Sequence, residues 1–194
     1  STTEAISTTS VARPTYSQTN PGSTAVVPAD FNTKIVRISG EPGTAISGLG
    51  VNWYNNKGPR YTKMQPWNAD ESVAQIEHAV SGSGGTVFVD GTTYVPIVAR
   101  EFWGGTTYGG NFTCPCYFRW HPTLKDWMVI VSDRGNVGWW DPINNIFKLK
   151  YTNVAGFTGV RIAADEGTTS RDGDRVLLVG TSGGVQQAFV IGNL

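Results

Sequence analysis

Apolar and polar positions along this chain follow one template three times. Each copy ends an extended segment in a polar turn, enters a dense apolar strand, crosses a Gly/Ser loop and forms a second strand stopped by a turn. The opening turns are Trp67-Asn68-Ala69-Asp70-Glu71, Trp120-His121-Pro122-Thr123 and Ser170-Arg171-Asp172-Gly173, and the closing strands run over 86–91, 138–142 and 188–192. A spacing of roughly fifty residues marks a repeat architecture, in which no unit buries its faces alone.

The periodicity predicts strands at 61–64, 72–79, 86–90 and 93–98 in the first copy. It predicts 117–120, 126–132, 137–140 and 146–150 in the second, and 160–164, 175–180 and 186–191 in the third. The stretch 72–79 also carries a helical spacing at Val73, Ile76 and Ala79. Strands such as 127–131 and 175–179 are apolar on both faces, the composition of a strand held between two sheets. A two-sheet sandwich would leave one face of each strand solvated, so the pattern favours stacked four-stranded blades of the β-propeller type. Ahead of the copies, 34–39 reads as a further strand with Val36 and Ile38 on one face. Residues 1–28, rich in Ser, Thr and Pro, read as a flexible or extended arm. The expected organisation is an arm at 1–28 and an all-β repeat domain at 29–194, with blades at about 60–98, 99–152 and 153–194.

Ser170-Arg171-Asp172-Gly173-Asp174-Arg175, followed by an apolar strand, resembles the S-x-D-G-x-R turn between the first two strands of TolB-type and oligogalacturonate-lyase-like β-propeller blades. Trp67-Asn68-Ala69-Asp70-Glu71-Ser72 and Trp120-His121-Pro122 are similar to degenerate forms of it, so the resemblance covers roughly residues 33–194. It implies an architecture rather than an activity. For lyase members it also implies a histidine cluster with a metal or a basic Arg. This chain has two histidines, His78 and His121, in different strands of different repeats.

Counting strands gives two complete blades and a third that lacks its outer strand, while 34–39 is of the type that would supply one. Three blades fall below the usual minimum of about four for a ring. The chain is then a fragment of a longer propeller, or half of a ring of about six blades closed by two copies lending each other N-terminal strands. The remaining options are an open polymer and another β arrangement. The residues expected to carry assembly are Lys34, Ile35, Val36 and Ile38 on the donated strand and Ala188 and Val190 on the receiving one.

Composition adds limits. Lys and Arg total 15, Asp and Glu 15, so no electrostatic footprint points to nucleic acid, and no apolar run points to membrane insertion. The Thr/Ser/Trp-rich, weakly charged composition and the sequon Asn111-Phe112-Thr113 point to an extracellular or secreted protein. Cys114-Pro115-Cys116 is read first as two buried free thiols on one face of an extended strand; a metal pair with His121 and an intermolecular disulfide are the alternatives. Aromatic, Gly-rich connectors offer Trp53, Tyr54, Trp103, Tyr108 and Arg161 as a binding platform for a glycan or a protein. Gly180-Thr181-Ser182-Gly183-Gly184 matches a nucleophile elbow in letters only, because a strand follows it and no histidine lies downstream. The reading is a non-enzymatic module for self-assembly or binding, with other copies of itself as partner and no cofactor or metal. The alternative is a polysaccharide lyase or hydrolase using His121, Arg119 and Tyr108.

Overall fold

The structure, a computed structural model, describes residues 36–55, 65–83, 85–102, 104–152, 156–162 and 169–194. The chain divides into two units, Ser1–Ile38 and Ser39–Leu194. Of the first unit, residues 36–38 are described, and they belong to no strand. The expected strand at 61–64, Lys34, Ile35 and Trp103 lie outside the described residues.

The second unit is all-β, with no α-helix among the described residues, and its strands form four antiparallel sheets. Strands β1 (Val73–Ile76), β2 (Thr86–Asp90) and β3 (Pro96–Arg100) make the first sheet; β4 (Thr107–Tyr108) and β5 (Phe112–Thr113) make a short ribbon. The middle sheet is β6 (Cys116–Trp120), β7 (Met128–Ser132), β8 (Val137–Asp141) and β9 (Ile146–Tyr151). The third is β10 (Thr158–Ile162), β11 (Val176–Ser182) and β12 (Val185–Ile191). Each of the larger sheets is a meander in which neighbours in sequence are neighbours in space. Of the stretch 72–79, Val73–Ile76 form strand β1, pairing residue by residue with Asp90 to Val87, and residues 77–79 lie beyond it.

Alternation along β7 explains how the sheets stack. Met128 and Ile130 join Trp120 and Trp140 in a core with Phe88 of the first sheet and Phe112 of the ribbon. Val129 and Val131, on the other face, join Val137 in a core with Val160, Ile162, Val176, Leu178 and Ile191 of the third sheet. The middle sheet is therefore held between the other two, and all five β7 residues are buried. Gly138 makes room for this packing, because a Cβ there would stand 2.7 Å from the Phe112 ring and 2.2 Å from the Lys148 carbonyl oxygen.

The three template turns are built alike. In the first, the Asn68 amide donates to Val73 O and the Glu71 amide to Asn68 O. The Ser72 amide donates to Asp70 Oδ1 at 3.2 Å and the Val73 amide to Asn68 Oδ1 at 3.0 Å. The third turn repeats this set with Ser170 N to Arg175 O, Gly173 N to Ser170 O, Asp174 N to Asp172 Oδ1 and Arg175 N to Ser170 Oγ. Glu71 and Gly173 hold the same position with φ of 61° and 79°. The second turn is one residue longer, and His121 takes the leading place, its amide donating to Trp127 O.

Candidate functional site

The matched turns put the strands of successive sheets in correspondence. Isolated bridges Trp67↔Ala74 and Thr169↔Val176 occupy the place of the Trp120↔Met128 pair in the middle sheet. By this register Gln75, Val129 and Leu177 are equivalent, as are their cross-strand partners Phe88, Trp139 and Val190. Phe88 packs against the middle sheet and Trp139 against the third. Leu177 and Val190 pack against neither, with exposures of 44% and 60%. Strand alternation puts Val179 and Ala188, another cross-strand pair, on the same open face. The outward face of the first sheet differs, since Ala74, Ile76, Val87 and Val89 are all buried. The third sheet therefore presents an apolar face in the register that elsewhere receives a neighbouring sheet, beside the edge strand β12.

Ala188 and Val190, expected on a strand that receives a donated one, lie on this face together with Leu177 and Val179, which the sequence did not single out. The apolar composition of 175–179 was expected to place that strand between two sheets; β11 is covered on its Val176 and Leu178 face, and its Leu177 face is open. Val36 and Ile38, expected on a donated strand, are half-buried outside any ladder.

The other candidates are dispersed. Trp53 is 3% exposed, so its ring belongs to the core and not to an open platform, because residues 52–54 run beside 79–81 through Tyr54 N to Ala79 O and Ser81 N to Asn52 O. Tyr54 is exposed, Arg161 is half-buried in β10, and the Tyr108 ring stands edge-on to Phe102 at 4.7 Å. Arg119 is buried and its Nη1 donates to Phe118 O at 2.7 Å. Tyr108 and Phe102 pack on the side of Phe118, toward the first sheet. Alternation turns Arg119 and His121 to the opposite side. The three residues of the enzyme reading thus occupy two faces of the middle sheet.

His121 is a seat between turns. It is 4% exposed, and Nδ1 accepts the Thr123 amide at 3.3 Å and the Leu124 amide at 3.1 Å, which puts the ring proton on Nε2. Burial lowers its pKa below the ordinary histidine value, and the Asp172 carboxylate opposes that shift. The Ser170 hydroxyl in turn holds Asp172 below the usual carboxylate range. The turns are tied in series: Asn68 Nδ2 donates to Lys125 O at 2.9 Å, and Thr123 Oγ1 to Asp172 O at 3.4 Å.

A cleft of about 230 Å³ opens between the first and middle sheets, lined among others by Glu77, His78, Arg100, Phe102, Cys116 and Phe118. Arg100 donates through Nε to Pro142 O at 2.6 Å and through Nη2 to Ile143 O at 2.5 Å; burial lowers its pKa and Asp141 works against that. At the cleft wall Cys114 and Cys116 form a disulfide with Cα atoms 4.4 Å apart, across a cis Cys114–Pro115 peptide. This corrects the reading of two free thiols on an extended strand: Cys114 and Pro115 lie in a bend and β6 begins at Cys116. Both sulfurs are in the bridge, so neither is a thiolate ligand for a metal with His121. A loop of three residues restrains the unfolded chain by about 1.6 kcal/mol in the entropic model, roughly half the value for fifteen residues.

Compared with protein-family models, curated proteins and solved structures, the chain matches none.

Proposed function

We propose that the three larger sheets are blades of a β-propeller-type stack and that the work of this chain is self-assembly, with the open face and edge of its third sheet receiving a second copy. The observation that carries this reading is the exposure of Leu177 and Val190 at the positions where Val129 and Trp139 are covered by a neighbouring sheet. Continuity with the two junctions already inside the chain argues for a β-sheet surface as the occupant. Equal numbers of acidic and basic residues leave little net repulsion between copies. The second copy adds its 34–39 segment to the edge of β12, where main-chain hydrogen bonds and side-chain pockets act together. An extracellular location accords with the Cys114–Cys116 disulfide, since such bonds persist in oxidising compartments.

Light scattering on the whole chain at micromolar concentration tests the reading. A mass of two or more chains is expected. Leu177→Asp removes a side-chain burial worth roughly 1.5–3 kcal/mol, so dissociation should become at least about tenfold easier. A single-chain mass at the highest soluble concentration, with native near-ultraviolet dichroism, overturns it.

A further inference from the structure

Each of the three larger sheets has two faces, and the chain covers all of them but one. The outward face of the first sheet is closed over Ala74 and Val87, and its other face meets the middle sheet through Phe88. The middle sheet is covered on both sides, and the third on the side of Val176 and Leu178. Among the described residues the Leu177 face of the third sheet alone stays open. Exposed apolar side chains also gather there. Leu177 pairs directly with Val190 across β11 and β12, and Val179 with Ala188 is the next pair on that face. Elsewhere in the ladders Ile146 stands opposite Asp141, Leu149 opposite Gly138 and Val185 opposite Ser182, so none of these forms an apolar pair.

With self-assembly through the third sheet as the premise, we propose that the surface it meets on the second copy is the same face, so that two chains close about a two-fold axis and growth ends at the dimer. A head-to-tail contact needs a second, different surface, whereas a self-complementary one is saturated by a single partner. The first sheet of a second copy has no open face for that role. Removal of apolar surface from water favours an apolar counterpart, which on a second copy is again the Leu177 and Val190 patch. Charge sets the direction of the axis. Arg161 of β10 pairs with Val179, so it shares the open face, beside the patch. An axis across the strands would lay β10 over the partner's β10 and bring two guanidinium groups together. An axis along the strands, between β11 and β12, lays Leu177 over the partner's Val190 and Val179 over the partner's Ala188. Each Arg161 then falls beyond the far strand of the facing sheet, on opposite flanks of the dimer. The two sheets run nearly aligned, within about 30°, as sheets packed face to face do. The outer edge of β12 stays free for the 34–39 segment.

The test uses the whole chain. Both native sulfurs are in the Cys114–Cys116 bridge, so an introduced cysteine is the one free thiol. Val179→Cys and Ala188→Cys are treated at micromolar concentration with a short bis-maleimide linker, beside a control at the exposed Ser47, Ser47→Cys. Each patch variant should link to a second copy of itself at least about tenfold faster than the control, because the facing copy raises the local thiol concentration toward millimolar. Light scattering on the unmodified chain should level off at two chains as concentration rises. Between about 0.01 and 1 M salt the dimer should not weaken, since its contact is apolar. A mass that keeps rising past two chains, a dimer from which neither patch variant links to itself, or association that weakens with salt would overturn the two-fold contact and leave self-assembly standing. A single-chain mass would overturn both.

Discussion

Replacing Gly173 with alanine tests how the middle and third sheets are locked together. Gly173 sits in the third turn at φ 79°, and a Cβ built there would lie 2.1 Å from His121 Cε1 and 2.3 Å from Nε2. The ring has little freedom to withdraw. Its Nδ1 accepts two backbone amides, and its far side meets Trp139 edge-on at 5.7 Å. The left-handed backbone costs an alanine about 1–2 kcal/mol. Forcing a methyl group into an occupied space adds about 1–3 kcal/mol. The sum, about 2–5 kcal/mol, is a large part of the roughly 5–15 kcal/mol that holds a typical domain. Gly184→Ala supplies the control, because Gly184 has the same φ of 79° with open space around it. Urea unfolding of both variants, with unchanged m, gives the two losses. Their difference isolates the collision with His121, since the backbone contribution is shared. The double variant Gly173→Ala, His121→Ala should recover much of that difference as a coupling energy. Equal losses at Gly173 and Gly184 would show that the His121 ring does not fill the hollow left by Gly173.

The same ring makes stability depend on pH. Burial sets the folded pKa of His121 below its unfolded value of 6.5, so its contribution is present in full above pH 6.5 and is lost as pH falls through the folded pKa. His121→Asn copies the role of Asn68 in the first turn, keeps an acceptor and should lack this component of the urea-midpoint profile; matching acid slopes in the two proteins would refute it. Asn68→Ala removes the acceptor of the Val73 amide and the donor to Ser72 Oγ and Lys125 O, for an expected loss of about 1–3 kcal/mol. Asn68→Ser, which copies Ser170, should fall between wild type and alanine, and no difference from alanine would show that the Val73 bond counts for little. Asp141 Oδ1 accepts the Ile143 and Asn144 amides at 3.0 Å in the β8–β9 turn, so Asp141→Ala should lower the melting temperature by about 2–4 °C for each kcal/mol lost. An unchanged melting temperature would remove that turn from the list of stabilising features.

The middle sheet was the most legible part of the chain. Its strand β7 carries apolar residues from Met128 to Val131, and such a strand has few stable places other than between two sheets. The turns were also readable, because Ser170, Asp172 and Gly173 declare their bonding through residue type. Two features were hidden for physical reasons. The β4–β5 ribbon has two residues per strand, too few for a period to show. The Cys114–Cys116 bridge depends on a bend before β6 that apolar periodicity does not encode. The open face of the third sheet was not legible as a face: the count of strands singled out only Ala188 and Val190 on β12, and Leu177 and Val179 needed the register that matches β11 to β7. The dispersal of His121, Arg119 and Tyr108 over two faces rests on where Phe102 and Tyr108 pack, which no spacing in the sequence states.

Adjacent residues of β8 turn these two junctions into a spectroscopic pair. Trp140 is fully buried, with the rings of Phe88, Phe102, Phe118 and Phe147 at centroid distances of 5.8, 4.8, 5.2 and 6.0 Å. Trp139 points the other way, with the Lys150 ammonium 3.9 Å over its ring and His121 at its edge. One indole is shut in an aromatic box on the side of the first sheet, and its neighbour sits beneath a cation on the side of the third. Exciton-type dichroism from the Trp140 cluster and the charge-sensitive emission of Trp139 therefore report separate seams from a single dipeptide. Unfolding that begins by parting one seam would reach one reporter before the other, and the order in which the two signals change would name the seam that opens first.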